Sequence, residues 1–163
     1  MFALVVGGVL GIVLARKVDT VPAIGDIQAL LPRNRAELRY GAALSINAGI
    51  VEELLFRLAV PALVFGITGS GAVAVAVSLL LFGALHIYQG VAGVIGSTII
   101  GTLLMTLFLA TGSILVAIVA HALIDLRSLV LIPVVVNEVH RLPGRADVRR
   151  QPAHRAVDPS PPL

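Results

Sequence analysis

Glu52, Glu53, Arg57, His86, His121 and Asp125 are the side chains in this sequence best suited to chemistry, and each interrupts an otherwise apolar stretch. They form three groups: Glu52-Glu53-x-x-x-Arg57, Phe82-x-x-x-His86 and His121-x-x-x-Asp125. Carboxylates and imidazoles pass protons to and from water near neutral pH, and they also ligate metal ions. Inside a lipid-spanning segment an Asp, Lys or Arg costs about 2.5–3.5 kcal/mol even on a lenient insertion scale. Residues of this kind therefore face a bundle interior or a watery cavity, where they pair or react.

The spacing says which of them share a face. On a helix, residues four apart lie one above the other, so Glu53 and Arg57 align as an intramembrane ion pair. Glu52 points about 100° away from Glu53, towards the side of Phe56 and without a partner in its own helix. That isolation suits a general base; the competing reading is that both acids brace neighbouring helices. His86 closes an apolar run four residues after Phe82, and alone it reads as an interfacial or packing residue. His121 and Asp125 share a face deep in the last apolar run. Such a pair binds a metal, fixes an imidazole tautomer, or is a buried hydrogen-bonded contact between helices. Arg127 falls about 200° round from Asp125 on a regular helix and reads as a packing or anchoring residue.

The elements that must position these groups follow from composition. The chain has 163 residues, 58% hydrophobic and only 13% charged, which is too apolar for an ordinary soluble domain of this length. Five apolar runs predict an all-α, polytopic membrane bundle of about five transmembrane helices with a chamber inside it: residues 1–15, 41–66, 72–87, 91–110 and 114–136. Uncharged turns at 67–71, 88–90 and 111–113 separate the last four. Pro61 is expected to kink its helix. The organisation predicted is a short first membrane helix and basic loop over 1–40, a four-helix core over 41–136, and a tail over 137–163. The loop includes a short interfacial helix near 24–31. The tail holds five Arg and five Pro and reads as disordered or surface-bound. The first run, at about 15 residues, is short for a span of about 20, which predicts sequence upstream of Met1.

Charge supplies the orientation. Both the 16–40 loop and the tail are Arg-rich, and four spans separate them, so they lie on one side; the positive-inside rule makes that side cytoplasmic. A multi-pass protein of a bacterial plasma membrane fits this pattern and the Arg-, Ala- and Gly-rich composition. The net charge of +3 is explained by these flanks and does not call for nucleic acid. With no cysteine, disulfides and thiolate metal sites are excluded. Small residues at four-residue spacing (Gly93, Ser97 and Gly101; Gly7 and Gly11) predict close helix contacts.

The order Glu52-Glu53-Leu-Leu-Phe-Arg57, Phe82-Gly-Ala-Leu-His86 and His121-Ala-Leu-Ile-Asp125 resembles the CPBP family of intramembrane proteases. These are the CAAX-prenyl-protease and bacteriocin-processing proteins, also called the Abi family. The likeness covers about residues 40–136. The third motif ends here in Asp125, where the family has Asn or Asp. The resemblance implies an endopeptidase acting on a membrane-associated, prenylated or apolar peptide within the lipid bilayer. It implies that Glu52 activates water with help from His86, and that His121 and Asp125 face the scissile carbonyl or complete a metal site. Glu53 and Arg57 would hold the constellation together. Glu52, His86, His121 and Asp125 would then be ligands of a divalent ion such as zinc, with a metal-free glutamate mechanism as the other scheme. Two different functions compete with this one: a proton- or ion-coupled transporter component and a non-catalytic membrane scaffold.

Overall fold

The computed structural model describes residues 26–143. The first expected span, its Gly7/Gly11 pair and the tail from residue 144 lie outside the described residues. Among the described residues all regular structure is helical. The α-helices are α1 (Leu38–Glu53), α2 (Val60–Thr68), α3 (Gly71–Leu85), α4 (Gly90–Thr111), α5 (Ile114–Leu126) and α6 (Ile132–Val135). Short 3₁₀ turns occur at Gln28–Leu30, Ile87–Gln89 and Val139–Arg141.

These six helices make four rods, because two π-helical segments carry the chain onward without a break: Leu54–Ala59 joins α1 to α2, and Arg127–Leu131 joins α5 to α6. The cause of each is the proline just beyond it. Pro61 and Pro133 have no N–H to give to the carbonyl four residues back, and their rings crowd that carbonyl. In both places the ladder loosens by one residue. Val60 N–H bonds to the Leu55 carbonyl and Ile132 N–H to the Arg127 carbonyl, each five residues back. The expected kink at Pro61 is thus taken up as a π segment, a form often found at functional sites.

Two of the turns are chemically alike. Thr68-Gly69-Ser70 and Thr111-Gly112-Ser113 each end a rod with glycine in the left-handed region, at φ 65° and 64°. The glycine N–H bonds back to Phe65 in the first and to Phe108 in the second, the usual way in which a C-terminal carbonyl is satisfied. The Thr hydroxyl bonds back one turn and accepts from the following Ser N–H.

The rods close into a ring. α1 packs on α5, α2 on α3, α3 on α4, and α4 on α5. Two stretches, Ile87–Thr111 and Ile114–Val135, are by length and composition apolar enough to cross a membrane. The Leu38–Thr68 rod, at about 1.5 Å per residue, is also long enough, and it carries Glu52, Glu53 and Arg57. Its charges turn inward: Glu53 is fully buried and Arg57 nearly so. Large apolar side chains such as Leu63, Leu80, Ile99, Leu103 and Leu115 point outward instead. An apolar outer surface around a polar interior is the arrangement a bilayer requires.

The start of the tail departs from the expectation of disorder. Val139 is buried, and Arg35 N–H bonds to the Leu142 carbonyl, which ties this segment to the loop ahead of α1.

Candidate active site

The close approach of α1 to α5 builds the centre of the site. Gly41, Ser45, Gly49 and Glu53 recur every fourth residue and are the buried positions of α1. A Cβ on Gly49 would stand 3.0 Å from the Ile118 carbonyl oxygen and from Ala122 N, and one on Gly41 would stand 2.9 Å from the Leu129 carbonyl oxygen. Backbone therefore meets backbone along this seam. One turn after Gly49, Glu53 reaches across to His121 on α5.

Glu53 is held from two sides. Its Oε1 lies 2.7 Å from His121 Nδ1, and its Oε2 lies 2.9 Å from Arg57 Nε, in ionic contact rather than in an aligned hydrogen bond. Arg57 Nη2 also donates to the Gly101 carbonyl at 3.1 Å. A carboxylate only accepts, so Nδ1 of His121 carries the hydrogen and, in the neutral ring, Nε2 keeps its lone pair. Nε2 faces two further carboxylates: Glu52 Oε2 at 3.9 Å and Asp125 Oδ2 at 3.8 Å. Both distances are too long for direct hydrogen bonds and suit a single bridging water. Glu52 Oε2 is out of solvent and has no hydrogen-bond partner.

Phe82 is the post around which these groups stand. Its ring meets Phe56 edge-on at 5.2 Å, His86 at 4.8 Å and His121 at 6.3 Å, and the Arg57 guanidinium lies over its face at 4.9 Å. Gly101 makes room for it, since a Cβ there would stand 2.8 Å from the ring. His86 ends α3, with Nδ1 2.8 Å from the Phe82 carbonyl. That carbonyl accepts, so the His86 Nε2 is the atom left to act.

Ser78 supports the same region. In the π segment Val60 donates to Leu55, and the next residue, Pro61, has no N–H, so the Phe56 carbonyl loses its partner within the helix. The Ser78 hydroxyl of α3 donates to it instead. Sequence reasoning missed this role; the signal was a lone buried Ser opposite a Pro-disrupted helix.

A cavity of about 280 Å³ opens among these elements, lined by Glu52, His86, His121 and Asp125 together with Phe82, Ser97 and Ile100. Glu53 and Arg57 stand behind it. Ile27, Leu30, Tyr88 and Gln89 form its outer rim, and Asp26 N–H bonds to the Gln89 carbonyl to join the two rim segments. Arg127, expected as a packing or anchoring residue, also lines the cavity.

All four residues of the zinc set expected from the sequence, Glu52, His86, His121 and Asp125, line this cavity. Among the described residues no group of three or more His, Asp or Glu side chains is already drawn together around one point, and no step below is routed through an ion.

Fold and geometry together give an all-helical bundle, with two helices long and apolar enough to cross a membrane, and an acid–imidazole cluster on a cavity. The chain belongs to the type II CAAX prenyl endopeptidase Rce1-like family, whose model matches residues 34–127, more than half of the sequence and all three motifs. It is therefore a member of a family of membrane proteases. No curated protein and no solved structure matches it significantly.

Proposed function

We propose that the chain hydrolyses a peptide bond near the end of a prenylated, membrane-associated protein, using a water held among Glu52, His121 and Asp125. The observation that carries this reading is the unpartnered Glu52 Oε2, 3.9 Å from the lone-pair nitrogen of His121, both residues lining the cavity.

Glu52 removes a proton from the water, and the resulting hydroxide forms a new C–O bond at the scissile carbonyl carbon. General-base help of this kind contributes typically about 10²–10⁴-fold. His121, oriented by Glu53 and backed by Arg57, accepts the water's other hydrogen at Nε2, and the Asp125 carboxylate lies 3.8 Å from that nitrogen. His86, across the cavity with Nδ1 anchored on Phe82, presents Nε2 to the carbonyl; in its protonated form it donates to the oxyanion. Collapse of the tetrahedral intermediate breaks the C–N bond, and Glu52 returns its proton to the leaving amine. Fixed donors and acceptors in a water-poor site act more strongly than in solution.

Ile27 and Leu30 of the cavity lining belong to the segment ahead of α1, on the side that the charge pattern predicts to be cytoplasmic. A prenyl chain in the bilayer and its peptide at the membrane surface reach such a site together.

The test is hydrolysis in ¹⁸O-labelled water. The purified chain, given an S-farnesyl peptide, is expected to release a shorter product whose new carboxyl carries one ¹⁸O. Intact peptide alongside substrate-driven proton flux in liposomes would favour a transporter. Intact peptide with no flux would leave a scaffold.

A further inference from the structure

We propose that Arg127 receives the terminal carboxylate of the substrate, so that this enzyme cuts close to a free chain end. The inference rests on the protease reading above and adds a specificity-determining residue to it.

Among the described residues, Arg127 is the only Lys or Arg lining the cavity. Its Nε is out of solvent and has no hydrogen-bond partner. Arg57 lies behind the cavity and is committed to Glu53 and the Gly101 carbonyl. The remaining ionisable lining groups among the described residues are the Glu52 and Asp125 carboxylates, the His86 and His121 imidazoles and the Tyr88 phenol, and Glu52 and Asp125 repel any anion that enters. A peptide whose chain ended inside would bring a carboxylate into that field, and a guanidinium is the side chain best shaped to bind it, through two parallel N–H···O bonds.

The volume points the same way. At about 280 Å³, the cavity sits at the small end of ligand pockets, which run from roughly 300 to 1,000 Å³. It takes a few residues beyond the scissile bond and not a folded domain. Arg127 follows Asp125 by two residues, in the π segment that leads away from the water-holding groups. It is thus placed for the far end of a short leaving peptide.

The experiment compares a dansylated peptide ending in S-farnesyl-cysteine and three aliphatic residues, made as the free acid and as the C-terminal amide. Binding is read by fluorescence in the Glu52→Gln background, and cleavage is read with Glu52 intact, each for Arg127, Arg127→Lys and Arg127→Gln. The acid is expected to bind, and to be cleaved through a lower KM, at least about tenfold better than the amide, the factor one good charged contact supplies. Arg127→Gln abolishes that preference and Arg127→Lys keeps part of it. Cleavage of both peptides with equal KM, or a preference that survives in Arg127→Gln, overturns the anchor and leaves the protease reading standing. Arg127-dependent preference in binding with no cleavage of either peptide supports the anchor and removes the protease. Neither binding nor cleavage removes both.

Discussion

His121 Nδ1 lies 2.7 Å from Glu53 Oε1 although 68 residues separate them in the chain. This single bond joins the first motif to the third and decides which nitrogen of His121 faces the cavity. Behind it stands Arg57, so that cation, carboxylate and imidazole form a buried row ending at the cavity.

That row separates a structural role from a chemical one. Arg57→Met leaves the Glu53 charge buried beside His121 alone, and removing one partner of such a pair costs about 3–5 kcal/mol. Replacing both partners, as Glu53→Leu with Arg57→Met, recovers most of the stability but not the activity, because His121 loses its orienting acceptor. Thermal unfolding followed by circular dichroism, paired with peptide cleavage, checks both halves. Recovery of activity in the double variant would count against the orienting role.

Glycine spacing yields a second prediction. Gly49→Ala places a Cβ 3.0 Å from backbone atoms of α5, which forces the rods apart and costs about 1–3 kcal/mol. Turnover is expected to fall at least about tenfold, since a shift of about 1 Å in a positioned group costs up to about 100-fold. Gly66→Ala is the control: nothing lies within 4 Å of its Cβ position. In a helix interior that change is neutral or stabilising by up to about 1 kcal/mol. Equal behaviour of the two variants would argue against the seam.

Much of this was legible in the sequence, and the misses have physical causes. The three motifs and four of the expected spans fall where the structure has its rods, because charge in an apolar run and uncharged Thr-Gly-Ser turns are strong local signals. The Gly41-Ser45-Gly49 row escaped notice because glycines at four-residue spacing occur on other helices too, and only packing shows which row holds the seam. The contact between Ser78 and Phe56 depends on a carbonyl that exists unpaired only once Pro61 has loosened the ladder. The partner of His121 is likewise a matter of which rods touch, which no local pattern encodes.

Ser78 therefore supplies a third test. Ser78→Ala leaves the Phe56 carbonyl buried without a donor, at a cost of about 1–3 kcal/mol. Pro61→Ala restores an N–H to the same helix, so the cost of Ser78→Ala should shrink in that background. A double-mutant cycle on thermal stability measures the coupling; strict additivity would show that the two sites are independent.

Metal dependence gives a fourth. The mechanism proposed above uses no ion, so cleavage is expected to persist after dialysis against a strong chelator, with metal well below one equivalent per chain. Loss of activity with chelator and its return with zinc would restore the Glu52, His86, His121 and Asp125 ligand set.

One substitution bears on the whole account more directly than any other. Glu52→Gln keeps the size of the side chain and removes its ability to take a proton. Single-turnover cleavage of the S-farnesyl peptide, with circular dichroism matched to the parent, should slow by about 10²–10⁴-fold, the usual worth of a general base. A rate within tenfold of the parent would mean that something other than Glu52 makes the nucleophile.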